Sequence, residues 1–246
     1  MQAYPLGYDT ARRVLTLGRA VFFGDSDADL PSGRSPLLRR DDLTPQFGYV
    51  GSRYADVRVL LLGINPGHGT QNIVRTATDG RMMPAHINFA EDPSPARFLE
   101  AQQKYKAECE HWHIWKRHCA AVIGAGKLSL EDVAYSNCLP WRSGSASNFS
   151  DFVARRAVEL YAYPLIEELK PTLLIALGKR AAEILRLAGK TLPPLIVWNR
   201  AQVATEAVLR DRANAAAQVF TLLRRQQRGS ADSLSALRND RPAAEL

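Results

Sequence analysis

Four short, largely apolar runs each end abruptly in a turn or polar stretch, and segments with helical spacing separate them. The runs are Val57–Leu62, Ala134–Leu139, Thr172–Leu177 and Leu195–Trp198. A run of that length with no polar face suits a strand covered on both sides. Strands alternating with longer helices predict an α/β chain. The expected form is a three-layer sandwich with a short, mainly parallel four-stranded sheet flanked by helices.

Helical spacing covers residues 8–22, roughly 96–123, Phe152–Lys170, Lys179–Ala188 and Glu206–Arg225. Residues 24–50 are rich in Asp, Gly, Ser, Pro and Arg and read as a surface loop. The stretch from Gly63 through Pro95 reads as irregular, and SGSASNFS near 143–150 as a loop. One domain over 1–225 is expected, its N-terminal helix and loop occupying 1–56. Residues 226–246 show weak periodicity and read as a flexible tail.

With 246 residues, 46% of them apolar, the chain can bury a proper core. Its apolar runs are too short to cross a bilayer, so no membrane partner is expected. The start, MQAYPLGYDTARR, lacks a charged-then-apolar leader, which points to the cytoplasm. Three scattered cysteines make no disulfide framework. A net charge of +7, spread over basic pairs such as Arg155-Arg156 and Arg224-Arg225, points to a polyanionic partner, above all nucleic acid. Oligomeric state is left open.

In open α/β sheets, ligands gather beyond the carboxyl ends of the strands. Those ends read Gly63-Ile64-Asn65-Pro66-Gly67-His68, Asn137-Cys138-Leu139-Pro140-Trp141-Arg142, Gly178-Lys179 and Trp198-Asn199-Arg200. A carboxamide carries an acceptor and two donors in one plane, the pattern needed to read a nucleobase edge. The bland alternatives are a turn cap for Asn65 and a self-bonded turn for Asn137.

Gly63-Ile64-Asn65-Pro66-Gly67 resembles the first active-site motif of the uracil-DNA glycosylase superfamily, and is most similar to its mismatch-specific and single-strand-selective branches. Asn137, closing "VAYSN", resembles the strand-borne Asn that reads the pyrimidine edge there. "LLIALGKRAAEIL" resembles the strand-Gly-helix segment of that superfamily. The similarity spans roughly residues 55–225. The superfamily's final motif is His-Pro-Ser or Asn-Pro-Ser, and Asn199-Arg200-Ala201 stands in its place. Its Pro-Ser is absent, and without a His the departing base loses one donor.

The resemblance implies catalytic roles for Asn65, which would position the attacking water, for His68, which would touch the leaving base or a phosphate, and for Asn199 as the remaining donor. It implies base binding by Gly63, Ile64, Pro66, Gly67 and Asn137. A flipped base also needs a ring to stack on, and Phe89, Trp141 and Trp198 are the candidates by position, with core packing as their alternative. Lys179 and Arg200, at strand exits, are the candidate DNA contacts.

Cys109 and His113, four residues apart, could share a helix face as metal ligands do, but no second pair completes the set, and packing suits the segment better. No metal, iron–sulfur cluster or organic cofactor is expected. The expected function is hydrolysis of the N-glycosidic bond of a deaminated, damaged or modified base flipped out of DNA. The alternatives are a nucleic-acid-binding protein of the same fold with weak or no catalysis, and a hydrolase of nucleotides or other small phosphorylated molecules.

Overall fold

The computed structural model describes residues 5–23, 44–66, 77–142, 150–201 and 203–239. Five strands form one mixed sheet: β1 (Tyr49–Val50), β2 (Val59–Gly63), β3 (Val133–Asn137), β4 (Leu173–Leu177) and β5 (Leu195–Trp198). Their order across the sheet is β1-β3-β2-β4-β5. The last four in sequence are parallel, as expected. The sequence reading missed β1, which pairs antiparallel with β3 at the edge. Two residues carry no measurable periodicity, so nothing in the local pattern announces this strand.

Helices cover both faces, and alternate strand residues feed two cores. Leu60, Leu62, Ala134, Leu174 and Ala176 point to one. Val59, Leu61, Val133, Tyr135, Leu173, Ile175, Ile196 and Trp198 point to the other. This period of two, with apolar residues on both sides, is what the four runs encoded. On the first face lie α1 (Tyr8–Leu17), α2 (Arg19–Phe23), α7 (Asp151–Ala157), α8 (Tyr163–Leu169) and α9 (Lys179–Arg186). A π-helical turn, Val158–Ala162, joins α7 to α8. The expected single helix over 8–22 is broken at Gly18.

The second face carries a π-helical turn, Trp115–Cys119, α6 (Ala120–Ala125) and α10 (Glu206–Asn239). A four-residue helix, α3 (Tyr54–Val57), precedes β2. Two further helices, α4 (Ala77–Glu91) and α5 (Pro95–Cys109), pack on each other beside β1. They contribute Phe89, Phe98 and Ala101 to the first core and Met82, Met83 and Tyr105 to the second. The pair thereby wraps the β1 edge, which protects it from pairing with another chain. Arg81 Nε and Nη2 donate to the two carboxylate oxygens of Glu108, both at 2.6 Å, and fasten α4 to α5.

Three expectations change here. The stretch through Pro95 holds α4 rather than irregular chain, although Gly80 and Pro84 both disfavour a helix interior. Packing on two cores outweighs that propensity. The helix expected over 96–123 ends at Cys109 and resumes only after a turn. The last helix runs to Asn239, well past Arg225, where a tail was expected.

The loop read over 24–50 is also not all at the surface. Thr44, Gln46, Phe47 and Tyr49 are buried. Gly48 sits at φ 78°, and a Cβ there would collide with the Tyr135 carbonyl oxygen. Only glycine allows this kink, which sends Phe47 to the first core and Tyr49 to the second. No helix among the described residues is long and apolar enough to cross a membrane.

Candidate functional site

From β2 the chain moves outward to β3, then returns across β2 to β4 and on to β5. Strand order reverses at β2, so a crevice is expected beyond the carboxyl ends of β2 and its neighbours. Asn65 lies two residues past Gly63, and Gly63 is the register partner of Asn137 on β3. The two chains stay side by side after the strands: Cys138 N donates to Gly63 O at 2.9 Å and Leu139 N to Ile64 O at 3.0 Å. Asn65 and Asn137 therefore emerge at adjacent strand ends. Asn65, Pro66 and Asn137 are buried and Ile64 is half-buried. Gly67 and His68 lie outside the described residues.

Gly63 has a local reason to be glycine. A Cβ on it would overlap Asn137 Oδ1, so the missing side chain makes room for the Asn137 amide. The Tyr135 hydroxyl lies 3.5 Å from the same Cβ position, and the Tyr105 ring on α5 packs on Tyr135 with centroids 6.0 Å apart. Asn137 Nδ2 has no hydrogen-bond partner and Asn137 is 2% exposed. Such an atom costs about 1–3 kcal/mol when left unpaired, a cost a bound acceptor would remove. Burial raises the pKa values of Tyr49, Tyr105 and Tyr135 well above the ordinary phenol value, so all three hydroxyls keep their protons.

Asn199 is not the free donor the final-motif position suggested. Its Nδ2 donates to Asp211 Oδ2 at 2.9 Å and its Oδ1 accepts from Ala201 N at 3.0 Å. Arg212 then ties the same turn, donating to Asn199 O and Ala201 O. An Asx-type turn engages the amide oxygen, and Asp211 takes one N–H of the amide nitrogen. A groove of about 410 Å³, lined by Lys179, Asn199, Asp211, Asn214, Gln218 and β5, opens on the outer edge of the sheet, away from the β2 and β3 ends.

Phe89 is also corrected. It is fully buried, with its ring packed against Tyr8, Phe47 and Phe98, so it offers no stacking face. Trp141 packs on Phe22 and Phe23. Trp198 is 3% exposed, and its Nε1 donates to His118 Nδ1 at 3.4 Å. For all three, apolar core packing wins over the stacking role.

Lys179 is exposed at the first position of α9. Arg200 is half-buried beside Gly178, with Nη1 3.5 Å from Leu177 O. Burial lowers the His118 pKa to about 4, and the charges of Arg212, Arg200 and Arg117 push in the same direction. The His118 imidazole is therefore neutral at the β4–β5 end. Cys109 closes α5 with its thiol donating to Lys106 O, and the turn that follows breaks the helix face it was to share with His113.

The sequence reading missed His86 and Tyr105. His86 lies on α4 in the apolar stripe Met82, Met83, His86, and a histidine at a core position of that stripe was the available signal. Comparisons with protein-family models and with curated proteins return no match to this chain.

Proposed function

We propose that the chain is a DNA glycosylase that hydrolyses the N-glycosidic bond of a deaminated, damaged or modified base flipped out of DNA. The observation that carries this is the emergence of Asn65 and Asn137 at adjacent strand ends, with Asn137 Nδ2 buried and unpartnered. Asn137 reads the base, its amide seated over Gly63. Asn65 orients a water at the sugar. The water oxygen bonds to C1′ and gives up a proton to solvent, the C1′–N bond breaks, and its electron pair leaves with the base, which then takes up a proton. Negative charge then develops on the base, where donors are worth most. Lys179 and Arg200 bind phosphates.

The test is a panel of oligonucleotides carrying different modified bases, scored for alkali-labile abasic sites. Release from at least one substrate, lost in Asn65→Ala, is the expected result. No release from any substrate overturns the proposal.

One observation favours the second reading, a nucleic-acid-binding protein of this fold with weak or no catalysis. The final turn engages its carboxamide with Asp211 and Ala201, and no His stands there to donate to the departing base. Under that reading DNA affinity falls steeply with salt while no base is released.

A further inference from the structure

Two of the large apolar side chains that stay exposed share one face of α10: Leu209 is 52% exposed and Phe220 39%. The helix reaches the second core through Ala215, Val219 and Leu223. Beside that buried stripe runs another, Leu209, Ala213, Ala216 and Phe220, in which Ala213 is exposed and Ala216 half-buried. Its spacing is four, three and four residues, so the side chains follow one line along the helix. Such a line is the seam by which one helix meets another, and here it faces solvent. Charges stand at its two ends. Glu206 opens the helix, Arg224 and Arg225 lie just beyond Phe220, and the Arg224 guanidinium carbon is 5.2 Å from the Phe220 ring centroid.

We propose that this seam is a dimer interface, covered by α10 of a second copy running antiparallel. The spacing reads the same from either end, so a two-fold axis at its midpoint carries the seam onto itself. Leu209 then meets the partner's Phe220, and Ala213 meets the partner's Ala216. Packed helices cross at an angle, so they are closest at the crossing point and diverge towards their ends. The alanines sit at the crossing point and the large side chains where the helices diverge. Charge decides the direction. Antiparallel helices bring Glu206 level with the partner's Arg224 and Arg225 at both ends of the contact. Parallel helices would set Glu206 beside Glu206 and the arginines beside arginines. Flanking charges of this kind select partner and orientation. A second copy matches both the symmetric spacing and the opposite end charges. The contact does not depend on the glycosylase reading, and the groove beside β5 lies along a different side of the helix, at Asp211, Asn214 and Gln218.

The experiment follows the full chain by sedimentation equilibrium over a range of concentrations. A reversible monomer–dimer equilibrium is expected. Leu209→Glu and Phe220→Glu should each weaken it at least tenfold, with the melting temperature of the dilute protein unchanged, since both side chains are exposed. Glu206→Arg and the double variant Arg224→Glu/Arg225→Glu should each weaken self-association. Mixing the two should restore the dimer, because every flanking pair is then opposite in sign. Direction is read by disulfide formation, the native cysteines being buried. Ala213→Cys mixed with Ala216→Cys should cross-link, and Leu209→Cys alone should not; the reverse pattern overturns the antiparallel arrangement. A chain that stays monomeric at every concentration, or a dimer indifferent to Leu209→Glu, overturns the proposal. So does a monomer whose DNA affinity falls in Leu209→Glu, which would make the seam a nucleic-acid contact.

Discussion

The Asn137 amide oxygen stands where a side chain on Gly63 would begin. The two residues are register partners on neighbouring parallel strands, so the glycine on β2 and the carboxamide on β3 form one device. Gly63→Ala is expected to destabilise the fold by about 1–3 kcal/mol, the usual cost of overpacking. It should also abolish base release by turning the Asn137 amide. The double variant Gly63→Ala/Asn137→Ala relieves the clash, so its melting temperature should exceed the additive expectation. Strict additivity in that cycle would mean the two positions do not press on one another.

Asn65 and Asn199 are both strand-end carboxamides, yet they should behave in opposite ways. Asn65→Ala is expected to remove abasic-site formation while the melting temperature moves by no more than a few degrees. Asn199→Ala loses two hydrogen bonds to Asp211 and Ala201, which should cost about 1–2 kcal/mol while base release continues. Paired activity assays and thermal melts separate the two. An inactive, fully stable Asn199→Ala would return that residue to the chemistry.

The buried imidazoles set an acid limit on stability. His86 titrates at about 4 in the folded chain, whereas an unfolded histidine titrates near 6.5. The unfolded chain takes the proton first, so stability falls as pH drops from about 6.5 to about 4 and levels off below that. For His86 the gap amounts to roughly 3 kcal/mol. His118, also lowered to about 4, adds in the same direction. The Glu131 and Asp132 carboxyls, held at about 2 chiefly by Lys106 and Arg53, lose their contribution only lower, between about 4 and 2. Urea denaturation between pH 4 and 7.5 should show the upper step, and His86→Phe should flatten it. An unchanged step in that variant would assign it elsewhere.

The last helix is anchored early. Ala215, Val219 and Leu223 enter the second core. Removing residues 226–246 leaves these anchors in place and should shift the melting temperature by only a few degrees. Val219→Ala, by contrast, opens a cavity at a fully buried position and should cost about 1–3 kcal/mol. A large loss on truncation would show that the distal turns are docked.

Lys179 and Arg200 are expected to act on DNA through charge alone. Replacing both by Ala should reduce the slope of log affinity against log salt by up to about two phosphate contacts, with base choice unaltered. An unchanged slope would move the DNA track to another face.

Much of the fold was legible because its strands are short apolar runs and its helices keep their own period. The parallel sheet and the helical layers follow from that contrast. The β1 strand was invisible for the opposite reason. It is two residues long, and its place depends on a kink at Gly48 and a partner in β3. Helix α4 was hidden by Gly80 and Pro84, whose local cost is overridden by packing on both cores.

The candidate site divides in the same way. Asn65 and Asn137 could be picked out because each is a polar residue closing an apolar run. The fate of Asn199 could not, since Asp211 and Arg212 reach it from a helix that follows in the chain. His86 lay in a stretch that read as irregular, and only the folded helix sets its ring against Tyr105. Sequence alone determined which segments are buried and where polar groups interrupt them, because burial leaves a local periodic trace. Only the tertiary structure decided which of those groups are paired and which are left waiting. Hydrogen-bond satisfaction depends on neighbours that the folded chain brings in from far along its length.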